Sequence, residues 1–231
     1  MLMESIMTIL AVIVFLSFVA VAVFLFYKAI RSFKAHNFRR GVWSLLFSFV
    51  LGLILVSLTI AVYGARELAQ RAGCSSDLKQ IVLFLKMYAN DHQETYPSTF
   101  NGLRGDYIKP GDESVLVCPE SHHKVGTPID IHEWTDYAFV AGLSEADPVN
   151  CVVAFCLPED HKGEGANVAF IGGWVKWFYC KRPAESEYGH NDPTFQELTN
   201  TPALFYGTTD EVKLADLKKR TRIIYPKSAR R

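Results

Sequence analysis

The sequence has no charge of either sign in excess. Its 231 residues carry 24 basic and 24 acidic side chains, which removes the electrostatic argument for nucleic acid as a partner. It also lacks the short motifs of common chemistries, with no G-x-S-x-G, P-loop, H-E-x-x-H or kinase set. His161, the general base one would try first, lies in a Gly-rich connection with no nucleophile motif beside it. A non-catalytic chain is expected. Charge is missing altogether from two stretches, Met7–Tyr27 (MTILAVIVFLSFVAVAVFLFY) and Val42–Tyr63 (VWSLLFSFVLGLILVSLTIAVY). Each has roughly the 20 residues that an α-helix needs to cross a hydrocarbon core of about 30 Å, and a buried soluble helix is seldom apolar all round for so long. The first stretch has neither the basic residues before it nor the A-x-A-like site after it that mark a cleaved signal peptide. Two membrane spans are therefore expected, with the lipid bilayer as a partner.

The basic residues give these spans an orientation. Lys28, Arg31, Lys34, Arg39 and Arg40 crowd the connection between the spans, whereas the tail before Met7 holds Glu4 and no Lys or Arg. The positive-inside rule puts that connection in the cytoplasm and both ends outside. Arg66, Arg71 and Lys79 follow the second span and reduce the bias, with Glu67 and Asp77 interspersed. The expected layout is an outer tail (1–6), a first span (7–27), a cytoplasmic loop (28–41), a second span (42–63) and an extracytoplasmic remainder.

That remainder begins as a helix. No proline occurs between Ala65 and Asn90, and Leu78, Ile81, Val82, Leu85 and Tyr88 recur at helical spacing. Asp77, Lys79, Gln80, Lys86 and Asn90 take the other side, so the second span is expected to continue as a stem (64–91) with one buried stripe. Asn90-Asp91-His92 supplies the helix end. Further on, GANVAFIGGWVKWF (165–178) reads as a β-hairpin in which Asn167–Ile171 and Trp174–Phe178 flank Gly172-Gly173. A two-residue turn needs positive φ angles, which a Gly pair supplies. Trp174 and Trp177 should then point to opposite faces. The expected fold class is α+β: two transmembrane helices, the second continuing into a stem packed on a small antiparallel sheet (92–182), followed by a C-terminal extension (183–231).

The stretch ARELAQRAGCSSDLKQIVLFLKMYANDHQETYP (65–97) resembles the stem of pseudopilin-like proteins, the type II secretion protein G-like group of Gram-negative bacteria. Ala65, Arg66, Glu67, Cys74, Leu78, Lys79, Gln80, Ile81, Met87, Tyr88, Ala89, Asp91 and Pro97 fit the family pattern, and Asp77 stands where the family has Asn. Cys118-Pro119 looks like the family's Cys-Pro. His161 with Asn167 and the following strand resembles its His-x9-Asp-Gly signature, with one residue inserted and Gly172 in place of the Asp before Gly173. RRGVWSLL (39–46) resembles a worn prepilin leader. Gly41 stands where a prepilin peptidase would cut, but Leu46 replaces the family's Glu and the leader contains a span of its own. The resemblance implies a pilin-like fold and membrane or periplasmic protein partners from secretion or pilus-like machinery at the bacterial inner membrane. The missing Glu implies a permanently anchored derivative that is not processed.

Five cysteines (74, 118, 151, 156, 180) make an odd number, so an oxidising compartment leaves at least one unpaired. Buried free thiols are expected, with Cys74–Cys118 the first pair to test for a disulfide. Cys151 and Cys156, five apart in one strand, face opposite sides and cannot bond each other. Cys118, His122 and His123 form a Cys-x3-His without a second pair of ligands, and a solvated loop is expected there. Some secretion pseudopilins bind calcium in C-terminal loops. Asp160, Glu164 and Glu187 lack the alternating spacing of a calcium loop, so no cofactor is expected and calcium remains the alternative. The basic stretches KKRTR (218–222) and KSARR (227–231) read as a solvated helix face and a frayed end, or as contacts for lipid headgroups or a partner. An extracytoplasmic ligand- or ion-binding sensor domain is the competing functional reading.

Overall fold

The computed structural model describes residues 21, 23–24, 27–28, 38–121, 123–126, 131–181 and 192–226, with backbone alone at 38–42, 44–45 and 48. Most of the expected first span and of the basic loop lies outside the described residues, as do His122, Glu187 and the KSARR tail. The chain divides into two compact units, Met1–Arg66 and Glu67–Arg231.

One long helix, α1 (Phe38–Asp91), begins in the first unit and ends in the second. In the first unit it exposes Trp43, Phe47, Phe49, Leu53, Ile60 and Tyr63. Over Phe49–Asp91 it is long and apolar enough to cross a membrane, and none of its apolar window is covered by protein. A soluble monomer rarely leaves so many large side chains contiguous and bare; a helix solvated by lipid does so of necessity. Gly41 lies inside the continuous helical backbone, with no break between it and Val42.

In the second unit the expected stripe is buried. Cys74, Leu78, Ile81, Val82, Leu85 and Ala89 are closed to solvent, and Tyr88 is packed at their edge. Their 3–4 residue spacing puts them on one face, and truncating any one of the large aliphatics to Ala would cost about 2–5 kcal/mol. The helix stops at Asp91. Gln93 and Glu94 take left-handed conformations, and the Glu94 N–H returns to the Ala89 carbonyl at 2.8 Å, closing the end in the way a C-terminal cap requires.

The stripe packs on a five-stranded antiparallel sheet of order β4-β3-β2-β1-β5. Its strands are β1 (Tyr137–Ala141), β2 (Val152–Cys156), β3 (Gly165–Phe170), β4 (Val175–Tyr179) and β5 (Arg222–Ile224). Every residue of β1, β2 and β3 is buried, so both sheet faces are covered. Tyr137 pairs with Cys156 and Asn167 with Trp177. These residues face the stem: Asn167 Nδ2 donates to the Arg71 carbonyl at 3.0 Å, and the Arg71 guanidinium lies 4.7 Å from the Trp177 ring centre. The opposite face presents Phe155, whose ring meets Phe195 and Tyr225.

Those last contacts revise the expected boundary at 182/183. The C-terminal segment forms α2 (Phe195–Asn200), α3 (Pro202–Phe205) and α4 (Glu211–Arg220), burying Leu198, Phe205 and Leu217. It then returns as β5, which pairs with Phe139–Ala141 of β1. Thr194 and Glu197 form a capping box at α2, and Asp210 accepts from the Val212 and Lys213 N–H groups at α4. The segment is part of the sheet domain, not an appendage. In KKRTR, Lys218 and Lys219 are exposed, but Arg220 is tied to Asp147, Asp216 and the Gly142 carbonyl.

The hairpin differs from expectation in its turn. Phe170 N–H donates to the Trp174 carbonyl and Gly173 N–H to the Phe170 carbonyl, so the loop has three residues, Ile171, Gly172 and Gly173. Only Gly173 has positive φ, +95°. A left-handed third residue is what three-residue hairpin loops use. Gly172 is small for another reason: a Cβ there would overlap the Trp174 ring, which stacks on Phe170. Trp174 thus lies on the Phe170 side and Trp177 on the stem side.

A Cβ at Gly173 meets nothing closer than 3.9 Å, so the cost of a side chain there is conformational. Gly173→Val is expected to destabilise the second unit by about 1–3 kcal/mol, measured by denaturant unfolding of the full chain in detergent with tryptophan fluorescence as the probe.

Candidate functional site: a buried cysteine–histidine cluster

Three segments distant in sequence converge against the stem. Cys74 sits in the buried stripe of α1, one turn before Leu78. Cys118 follows a short 3-10 helix, Glu113–Leu116. Pro119 lies over Gly73, where a Cβ would come within 3.2 Å of the proline ring; the bare backbone at Gly73 lets the Cys-Pro turn close on the helix. His161 ends the 3-10 helix Pro158–His161.

Asp136 fixes the Cys-Pro turn. Its carboxylate is fully buried and accepts from the Cys118 N–H at 2.9 Å, from Ser121 Oγ and from His123 Nδ1. A buried carboxylate persists only when its lone pairs are satisfied, and this one is satisfied by the loop it organises.

One donor atom each from Cys74, Cys118 and His161 lies within 4.8 Å of the others, and all three residues are buried. Cys118 Sγ is 3.6 Å from His161 Nε2. His161 Nδ1 is 2.6 Å from Glu120 Oε2, and Glu120 Oε1 faces Lys162 Nζ at 3.7 Å. The Trp177 ring meets the imidazole edge-on with centroids 5.1 Å apart. Cys156, at the end of β2, lies beside Cys74 and accepts the Asn167 N–H at 3.0 Å. Cys118 is pushed up by its Cys74 neighbour and then by burial. Cys74 is lowered by Cys118 but raised more by Cys156 and burial together. Burial opposes charge on His161, but the Cys118 and Cys74 thiols outweigh it and bring its pKa to about 10.

The order Cys118–His161–Glu120 has the connectivity of nucleophile, base and orienting carboxylate. Cys118 and His161 are each only 1% exposed, so the sulfur is closed to solvent. Two thiols and an imidazole nitrogen converging at this range form a donor set for a soft or borderline metal ion. A second group, His123 with Asp136 and Asp160, lies nearer the surface. Burial, then the Asp136 charge, raises Asp160 to about 7.

The residues singled out by the resemblance fall in four places. Cys74, Cys118, Pro119, His161 and Asn167 gather around the cluster. Tyr88 stacks on His92 at 3.8 Å, edge-on to Tyr107, near the buried Pro97 at the foot of the stem. Gly172 and Gly173 form the hairpin loop, and Gln80 is exposed on α1. Cys74 and Cys118 are neighbours, as their pairing required, but both carry free thiols. The expected solvated CPESHH loop is replaced by a divided one: Cys118 enters the buried cluster while His123 binds Asp136. Glu164 pairs with Arg71. Sequence reasoning missed Glu120, Asp136 and the approach of Cys156 to Cys74. Alternation in VVAFC (152–156) was the one available signal, and it could not say what the strand would face.

Comparison with protein-family models, with curated proteins and with solved structures finds no match.

Asp77, one helical turn beyond Cys74, is half-buried, and burial raises its carboxyl from 3.8 to about 6 against the opposing effect of the Tyr137 hydroxyl. Because the folded chain holds this proton more tightly than the unfolded one, the associated stability is present below about pH 4 and is lost as pH rises through about 6. Asp77→Asn should therefore raise the Tm at pH 7, with the gain shrinking towards pH 4, as checked by thermal unfolding across that range.

Proposed function

We propose that this chain is a permanently anchored, non-catalytic, pseudopilin-like interaction protein that displays its sheet domain outside the bacterial inner membrane, with partners from type II secretion or pilus-like machinery. The observation that carries the reading is α1 itself. Its first part exposes a run of large apolar side chains long enough to cross a membrane, and its second part supplies the buried stripe on which an antiparallel sheet is built. The motif residues quoted from 65–178 add the family, and the basic excess of 28–41 adds the orientation. Leu46 is exposed on α1, where the resemblance would place a carboxylate. A carboxylate in hydrocarbon costs roughly 2.5–3.5 kcal/mol on insertion scales and is kept where a partner satisfies it; a chain without it has no such assembly contact to make. Retention of the first span follows. The competing reading, an ion-binding sensor domain, is favoured by the Cys74–Cys118–His161 cluster.

Topology is tested by labelling intact cells with a membrane-impermeant maleimide in a Cys180→Ser background. A cysteine placed at the exposed Thr209 should react and one at Ala35 should not; the reverse pattern overturns the extracytoplasmic assignment. Processing is tested by the intact mass of the native protein. The expected mass includes Met7–Tyr27, and a mature chain beginning at Val42 restores a processed filament subunit. Copurification of secretion components separates the interaction reading from the sensor.

A further inference from the structure

We propose that Cys74, Cys118 and His161 form a structural binding site for a zinc-class divalent cation that clamps the Cys-Pro turn and the His161 helix to the stem.

Four observations carry this, independently of the membrane reading. The first is distance. Two donors bound to one zinc at about 2.3 Å (sulfur) and 2.0–2.1 Å (nitrogen) with tetrahedral angles lie roughly 3.6 Å apart, and Cys118 Sγ to His161 Nε2 is 3.6 Å. The second is the orienting carboxylate. Glu120 Oε2 lies 2.6 Å from His161 Nδ1, and a hydrogen bond from Nδ1–H to this carboxylate fixes Nε2 as the ring nitrogen that faces the sulfurs. Metal-bound histidines are held by the same outer partner. The third is burial. His161 and both thiols are closed to solvent, a setting in which an imidazole needs a partner for each nitrogen. A disulfide between Cys74 and Cys118 would leave Nε2 without a suitable one. The fourth is charge. The thiolates of Cys74 and Cys118 together neutralise a divalent ion, so the ion and these two ligands bring no net charge into the core.

Sulfur and nitrogen donors exclude calcium and magnesium, which select oxygen. On binding, the two thiol protons and the Nε2 proton of the His161 imidazolium leave to solvent, and the imidazole ligates in its neutral form. Cys156 lies beside Cys74 but is not among the donors that converge within 4.8 Å, so this chain supplies three of the four ligands of a tetrahedral ion.

The test uses the full chain purified in detergent, reduced, stripped with a chelator and titrated with Zn(II) or Co(II). The expected result is one ion per chain, a higher Tm on loading, and a cobalt spectrum with thiolate charge-transfer and tetrahedral d–d bands. Cys118→Ser and His161→Ala should lose the ion. Because either can also impair folding, Glu120→Gln serves as the second variant: it should keep the fold and weaken zinc roughly 10- to 100-fold. Cys180→Ser should bind like the parent. Failure of the reduced, folded parent to bind either ion overturns the proposal, as does a cobalt adduct without thiolate bands. A native chain carrying a Cys74–Cys118 disulfide in place of metal overturns it equally.

Discussion

The buried stripe of α1, from Cys74 to Ala89, is the surface on which everything in the second unit depends. Helical periodicity gives it one continuous apolar edge, and β1, β2 and β3 lie across that edge with their stem-facing side chains. Burial on one side alone would leave alternate strand residues wet. The C-terminal segment removes that problem by covering the other face with Phe195, Leu198, Phe205 and Leu217 and by adding β5 beside β1. Three central strands buried on both faces follow from two covers, the stem and the returning tail.

The stem was legible because its information is local. Leu78, Ile81, Val82 and Leu85 repeat at the period of the element they form, so composition and spacing alone identify both helix and face. The hairpin was legible for the same reason, through the alternation of 165–178, but its loop was not. A Gly-Gly pair fits a two-residue turn and a three-residue loop equally well, and the choice between them was made by hydrogen bonds from Phe170 to Trp174 and by the Trp174 ring over Gly172. The C-terminal segment was read as an extension because Arg222–Ile224 is too short to announce itself as a strand. Only its pairing with β1 makes it one.

The cluster around Cys74 was half legible. Cys74, Cys118 and His161 could each be picked out by resemblance, but not the fact that they meet, because segments more than 40 residues apart carry no spacing signal: 43 positions separate Cys118 from His161. The residues that bring them together were invisible for a different reason. Glu120 and Asp136 look in sequence like any loop carboxylates. Asp136 becomes decisive only when burial leaves it three donors from one turn, and Glu120 only when the His161 ring presents Nδ1 to it.

These two carboxylates also explain why a polar cluster can stand in an otherwise apolar interior. An unpartnered buried polar group costs about 1–3 kcal/mol, and the cluster together with its supports comprises an imidazole, three thiols and two carboxylates. Asp136 accepts from a backbone amide, a hydroxyl and an imidazole; Glu120 is shared between His161 and Lys162; Cys156 takes the Asn167 amide. The supports are met from outside the cluster, through their own hydrogen bonds. What remains turned inward is the sulfur of Cys74, the sulfur of Cys118 and one ring nitrogen, which lie close to one another beside Cys156 and the Tyr137 hydroxyl. A thiol is a weak donor and a weak acceptor, so mutual contact satisfies His161 Nε2 poorly. The outer groups are held by strong hydrogen bonds while the inner three are left with weak ones. That asymmetry is what a core built only for packing would avoid, and what a ligand-sized demand at the centre would produce.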